Sequence, residues 1–128
     1  MSLSIERYTP KSIEDTRGLF VELFRGDVLP EQPLGQVSLL RIAAGEERGG
    51  HYHTRKNEWF ALVEGACVIT LVDVASGDTH TEPMSSLEVL RVPPYVSHTI
   101  YASRDATLVI YCDEPFYEED ADTYAYGE

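Results

Sequence analysis

Hydrophobic and polar residues alternate along most of this chain in short runs, and nearly every run is closed by Gly, Pro, Asp or Ser. Successive side chains of a strand point to opposite faces, so this pattern predicts half-buried β-strands. Residues 4–8 read as a short edge strand ended by Thr9-Pro10, and Asp15-Thr16-Arg17-Gly18 reads as a turn. Residues 20–25 are expected to form the next strand, with Phe20, Glu22 and Phe24 on one face and Val21, Leu23 and Arg25 on the other. A polar residue on each face implies that one face lines something other than a plain core. A Gly- and Pro-containing loop over 26–35 leads to a strand at 36–43. Glu64-Gly65 is expected to close a hairpin between 59–63 and 66–74, and Ser76-Gly77-Asp78 to turn the chain again. Strands should follow at 79–82, 87–92, 97–102 and 106–111. Nothing longer than a turn has a 3.6-residue period. About nine short strands at this spacing predict an all-β sandwich or jelly-roll barrel.

The stretch between Gly45 and Gly65 interrupts the apolar pattern with chemistry. His51 and His53 are two apart and therefore share a face of a strand, while Tyr52 faces away. Glu58 follows five residues after His53, enough for a turn and a return strand to bring a carboxylate alongside two imidazoles. Two histidines and a glutamate so arranged are candidate metal ligands. His80, between Thr79 and Thr81, reads as a solvated loop residue.

Composition narrows the function classes. A chain of 128 residues fits one domain that needs no disulfide or metal staple, here a barrel over about 13–112 with an acidic, aromatic tail at 113–128. Ten basic residues against twenty-two acids give a net charge of −12, which argues against nucleic acid as a partner. Seven of those acids fall in the last sixteen residues, and eight of the ten basic residues are arginines, all upstream of that tail. A local pocket for a phosphorylated small molecule is therefore compatible with the global charge. Phe116, Tyr117, Tyr124 and Tyr126 imply that the tail packs on the barrel or on a partner subunit. Cys67 and Cys112 sit in apolar runs and read as buried reduced thiols. The first residues lack an apolar leader region and no segment has the length of a membrane span, so a soluble, cytoplasmic protein is expected.

The same stretch fits Gly-x5-His-x-His-x4-Glu-x6-Gly, the first signature of the cupin superfamily, which the sequence resembles. Five fixed positions at fixed spacing arise by chance at roughly one start in ten million. The second cupin signature supplies a further histidine after a proline turn. Residues 92–98 match it at Pro93 and His98 and depart from it at Tyr95, where the signature has glycine; Ala102 stands where it has asparagine. The resemblance thus implies a cupin jelly-roll barrel in which His51, His53, Glu58 and His98 hold a divalent metal, zinc foremost, with iron, manganese or nickel as alternatives.

Asp15-x-Arg17-Gly18-x-Phe20-x-Glu22, Gln36-Val-Ser38 and Arg48-Gly-Gly-His51-Tyr52 resemble the blocks of dTDP-4-dehydrorhamnose 3,5-epimerases. Residues 48–60 and Asp122-Thr123-Tyr124 are more similar to the C-terminal cupin domain of the capsular-polysaccharide UDP-sugar reductases, a metal-bearing domain that epimerises a 4-keto sugar at C3. That likeness covers about residues 13–124, without the reductase domain. The resemblance to the 3,5-epimerases implies that Arg17 and Arg48 hold nucleotide phosphates, that His51 is a base, and that Tyr111 or Tyr117 is the opposing acid. His53 departs from the 3,5-epimerase pattern, which has glutamine there.

Removing a hydrogen next to a ketone leaves an enolate, so such an enzyme needs a base, an oxyanion stabiliser and an acid on the opposite face. A metal would polarise the ketone as a Lewis acid. An imidazole that binds metal cannot also take a proton, so either His51 is a ligand and Tyr111 or Tyr117 the base, or His51 is the base and His53 or Lys56 supports the enolate. Arg17, Arg41, Arg48 and Arg91 are the arginines that could reach a pyrophosphate, and Glu22 could orient a histidine or pair with an arginine. The expected protein is a nucleotide-sugar epimerase or ketoisomerase acting on a 4-keto hexose, without a redox cofactor, and a homodimer. A metal-dependent cupin of another class, such as an Fe(II) dioxygenase, and a non-catalytic sugar- or metal-binding cupin are the alternatives.

Overall fold

A computed structural model describes residues 3–27 and 35–126. The expected loop over 26–35 falls largely outside the described residues. Among the described residues twelve strands run in chain order: β1 (Glu6–Tyr8), β2 (Ser12–Asp15), β3 (Gly18–Val21), β4 (Gln36–Ile42), β5 (Glu47–Tyr52), β6 (Glu58–Glu64), β7 (Cys67–Asp73), β8 (Thr79–Pro83), β9 (Val89–Val92), β10 (Val96–Ala102), β11 (Ala106–Cys112) and β12 (Tyr124–Ala125), with a 3-10 turn at Glu118–Asp120. They form the expected all-β jelly roll. One five-stranded sheet has the order β1-β9-β6-β11-β4 and the other β12-β5-β10-β7-β8, with β2-β3 a separate hairpin.

Alternation explains the packing. In β7, Cys67, Ile69 and Leu71 are buried while their neighbours are partly exposed, and β10 and β11 likewise turn Ile100, Leu108 and Ile110 into the space between the sheets. β6 departs from alternation, since Glu58 to Leu62 are all buried. Its outer face carries Trp59 and Ala61, which join Val89 and Tyr111 in a second cluster covered by Tyr8, Leu23 and Phe24. The Tyr8 hydroxyl donates to the Leu23 carbonyl at 2.8 Å, tying the cover in place.

Three expectations are corrected. The strand expected at 20–25 ends at Val21, and its partner Ser12–Asp15 is a strand the hydrophobic pattern does not reveal. All four β2 residues are exposed, so no burial period marks them; the hairpin is set instead by its turn, where the Arg17 amide donates to Asp15 Oδ1 at 2.8 Å. Glu64-Gly65 does not close a hairpin, because β6 and β7 belong to different sheets. Gly65 has φ +94° and passes so close to the Asp105 carbonyl that a Cβ would collide with it, which makes the turn a crossover only glycine fits. His80 lies within β8, not in a loop, 3.4 Å from Asp78. Both cysteines are free and buried. The tail does pack on the barrel: β12 pairs with β5, and Tyr124 and Tyr126 surround Tyr52 with ring centroids 5.6 and 6.4 Å away. Among the described residues no helix is long and apolar enough to cross a membrane.

Candidate active site

The site lies between the sheets at the end where β5 and β11 finish and β6 begins. His51 and His98 are direct partners across β5 and β10, and the register slips between His98 and Thr99. Gly49 permits that bulge, since it has φ +114° and a Cβ there would strike the His98 carbonyl. His53 follows the end of β5 and is held from behind by the Tyr95 amide, which donates to its carbonyl at 2.7 Å. Tyr95 has φ 62°, so the left-handed conformation for which the cupin signature has glycine persists here with a tyrosine.

The three imidazoles converge. Ring centroids are 4.6 Å apart for His51 and His98, 5.2 Å for His51 and His53, and 5.6 Å for His53 and His98. One nitrogen from each lies within 4.8 Å of the others. Glu58, expected as a fourth member, stands outside that cluster and behind two of its members. Its Oε1 accepts from His53 Nε2 at 2.9 Å and lies 3.6 Å from His98 Nε2, and its Oε2 accepts from the Cys112 thiol at 3.4 Å. Glu58 reaches this point across the sandwich, from the opposite sheet, and not as the hairpin return the spacing suggests.

Charge follows from these contacts. Burial pushes the Glu58 carboxyl up, but the His53 hydrogen bond and, at the acid pH where it titrates, the charges of His98 and His53 outweigh it and bring it to about 2. Burial lowers His98 to about 4, and burial and the neighbouring His53 lower His51, so both are neutral at neutral pH. His53 is opposed by burial but raised overall by Glu58, with further help from the Asp122 carbonyl. Both of its nitrogens face acceptors, Glu58 Oε1 at 2.9 Å and the Asp122 carbonyl at 2.7 Å, so it donates from both. His98 Nδ1 is buried without a hydrogen-bond partner among the described residues. Two neutral imidazoles, one of them with an orphaned buried nitrogen, beside a third imidazole and a carboxylate, form a donor set that fits a divalent transition ion.

These groups open on a cavity of about 750 Å³. Its lining includes Arg48, Lys56, Glu114 and Phe116 as well as the histidines, and its floor is Phe60, Ile100 and Ile110. Lys56 is only 5% exposed, with its ammonium 5.8 Å from the centre of the Phe116 ring.

Of the residues singled out in the sequence, His51, His53, Glu58, His98, Arg48 and Lys56 meet at this cavity. The others do not. Arg17 lies on the β2-β3 hairpin with its side chain 88% exposed and paired to Asp15 at 2.7 Å. Glu22 falls beyond β3 and accepts from Arg25 at 3.0 Å instead of facing a histidine. Arg41 is exposed on β4. Arg91 is committed to Asn57 Oδ1 at 2.6 Å and to Glu6. Tyr111 is corrected by strand alternation: Ile110 and Cys112 face the cavity, so Tyr111 faces out and stacks on Trp59 at 5.2 Å. Tyr117 is 48% exposed at the start of the 3-10 turn and lies outside the cavity lining.

Sequence reasoning passed over the groups that hold the site. Cys112 was read as a plain buried thiol, yet it is bonded to Glu58. Asp113 accepts from the Asn57 amide and side chain, both at 2.9 Å, and Asp122 binds the turn after His53. Nothing local separates Asp113 from solvated charge, and Asp122 stands out in the sequence only as part of the Asp122-Thr123-Tyr124 block, without a role.

A family model described as the polysaccharide biosynthesis C-terminal domain matches residues 13–124. A curated relative, the UDP-2-acetamido-2,6-beta-L-arabino-hexul-4-ose reductase of Pseudomonas aeruginosa, is 30% identical over 115 residues, which cover 87% of this chain and 30% of the reductase. Among solved structures, the dTDP sugar isomerase of Desulfovibrio desulfuricans has a TM-score of 0.85 at 16% identity, over 96% of this chain and 83% of its own. CapF, solved with the inhibitor 3-isopropenyl-tropolone, has a TM-score of 0.70 at 30% identity, over 94% of this chain and 35% of its own. The chain therefore spans about a third of the length of the reductase and of CapF.

Proposed function

The chain belongs to the polysaccharide biosynthesis C-terminal domain family, and from that membership we propose that it is a nucleotide-sugar epimerase or ketoisomerase acting beside the ketone of a 4-keto hexose. The observation that carries the reading is the convergence of three imidazoles, a buried lysine and an arginine on one cavity. The similar proteins named as a dTDP sugar isomerase and a UDP-sugar reductase support the substrate class.

Each requirement of the chemistry has a group in that cavity. His51, His53 and His98 would hold a divalent ion, zinc foremost, with Glu58 beside them. Such an ion supplies Lewis-acid polarisation of the 4-keto oxygen. Lys56 brings a cation into a largely dry wall, where it stabilises an enolate oxygen more strongly than it would in water. Arg48 offers a planar fork to a phosphate. His51 is the least buried of the three imidazoles and is held neutral, which suits either a ligand or a base. A nitrogen that gives its lone pair to an ion has none for a proton, so ion-loaded and ion-free protein separate the two roles.

A homodimer goes with this reading. Ile13, Leu19 and Phe20 on the β2-β3 hairpin and Val37 and Leu39 on the edge strand β4 are 51% to 67% exposed, apolar positions for a second copy to cover. A second copy covering the hairpin would place Arg17 at an interface; light scattering should then give twice the chain mass.

The deciding experiment incubates the protein with a UDP- or dTDP-4-keto-6-deoxyhexose in deuterated water and follows the sugar carbons by NMR. Deuterium at C3 or C5, or a moved ketone, is expected. Neither, with both nucleotides and with zinc restored, would sink the proposal.

A further inference from the structure

The segment after β11 runs back over the site and closes on the turn between His53 and Glu58. Asp122, 3% exposed, is its point of attachment. One carboxylate oxygen accepts from the Thr54 amide at 2.9 Å and the Thr54 hydroxyl at 2.6 Å; the other accepts from the Arg55 amide at 2.9 Å and, more distantly, the Lys56 amide at 3.4 Å. The same residue's main-chain carbonyl accepts from His53 Nδ1 at 2.7 Å. Asp122 has φ 47°, and this left-handed geometry lets one residue turn its carboxylate to the turn and its carbonyl to the imidazole. Two further contacts tie the same pieces together, Arg55 to Glu114 at 2.7 Å and the Asn57 amide to Asp113 at 2.9 Å.

We infer that Asp122 is a positioning residue: its carboxylate fixes the turn that presents His53, Lys56 and Glu58, and its carbonyl keeps a proton on His53 Nδ1 so that Nε2 is the nitrogen facing the site. The inference rests on the proposed function for its catalytic meaning, while the geometry of the strap stands apart from it. A carbonyl can only accept, so Nδ1 must donate; Nε2, which donates to Glu58 in the ion-free protein, is then the one ring nitrogen that can give up its proton and offer a lone pair to a ligand or act as a base. Partners of this kind behind a metal-binding histidine are worth about 10- to 100-fold in metal affinity.

Two variants and a control test it in the full chain. Asp122→Gly keeps the left-handed backbone and removes only the carboxylate; Asp122→Asn keeps the backbone and one acceptor oxygen. Asp78→Ala removes a carboxylate that binds a main-chain amide elsewhere, that of Leu3 at 2.7 Å. Two quantities are read: exchange of the His53 Nδ1 proton by NMR in zinc-free protein, and zinc affinity by calorimetry. In wild type and Asp78→Ala the proton should exchange slowly and the affinity be the same. In Asp122→Gly the proton should be lost to exchange and zinc bound about 10- to 100-fold more weakly, with Asp122→Asn between three- and tenfold weaker. A folded Asp122→Gly with the wild-type ring proton and zinc affinity within threefold overturns the inference. If that variant does not fold, the same two readings on Asp122→Asn decide. Wild type that binds no zinc defeats the metal part of the proposed function, and the ring-proton measurement alone then upholds or overturns the role of Asp122.

Discussion

The two ends of the barrel interior are built on the same strands and buried to the same depth, yet they hold opposite chemistry. Away from the site, β6, β7, β10 and β11 contribute Leu62, Ile69, Ala102 and Leu108, each at most 1% exposed. At the site, β6, β10 and β11 contribute Glu58, His98 and Cys112 at 9%, 3% and 5%. Strand alternation sends both sets inward and treats them alike. What differs is the fate of the polar atoms. The apolar end has none to satisfy, whereas the site end must satisfy Glu58 with His53 and Cys112 and still leaves His98 Nδ1 without a partner. One end stabilises the fold and the other spends part of that stability on a reactive arrangement.

Three measurements break or sharpen this contrast. The largest effect should come from the apolar end: Leu108→Ala, at a fully buried position, should lower the unfolding free energy by about 3 kcal/mol in a denaturant titration while zinc affinity stays within threefold. A loss below about 1 kcal/mol would mean that this end is not the stabilising one. Next, His98→Leu should raise stability by about 1 kcal/mol, because it replaces a desolvated, incompletely bonded imidazole beside Phe60 with an apolar side chain, and should lower deuterium incorporation at least 100-fold. Destabilisation by that variant would show that the site end contributes to the fold after all. The smallest effect separates the two thiols. Burial alone raises Cys67, at the apolar end, to about 11, whereas at Cys112 the Glu58 carboxylate adds to burial. A thiol raised in the folded state contributes stability that is complete below its unfolded value near 9 and is lost as pH rises through about 11. Between pH 8 and pH 10 wild type should therefore lose about 1 kcal/mol more than Cys67→Ala. Equal losses would place Cys67 in a wetter environment than its neighbours indicate.

The histidines were legible because their signal is local: a two-residue spacing sets His51 and His53 on one side, and the proline turn before His98 repeats a known signature. The tyrosines failed for the converse reason. Tyr111 sits in a run where inward and outward positions are both apolar, so nothing in the run says which face meets the cavity. Only the cover of Tyr8, Leu23 and Phe24 over Trp59 makes its side an outer core. Arg17 and Glu22 belong to a matching block, but the block forms a hairpin that stands clear of this chain's own cavity.

By itself the sequence determined the all-β class, most strand centres and the shared face of His51 and His53, since alternation and short spacings act within a few residues; His98 joined them through its resemblance to a known signature. Tertiary structure alone decided that Glu58 arrives from the opposite sheet, that Cys112 and His53 divide its carboxylate, and that Asp122 reaches back 69 residues to His53. Those contacts are long-range, and which of many acids makes them is set by how two sheets pack across a shared interior, a property no short stretch of the chain contains.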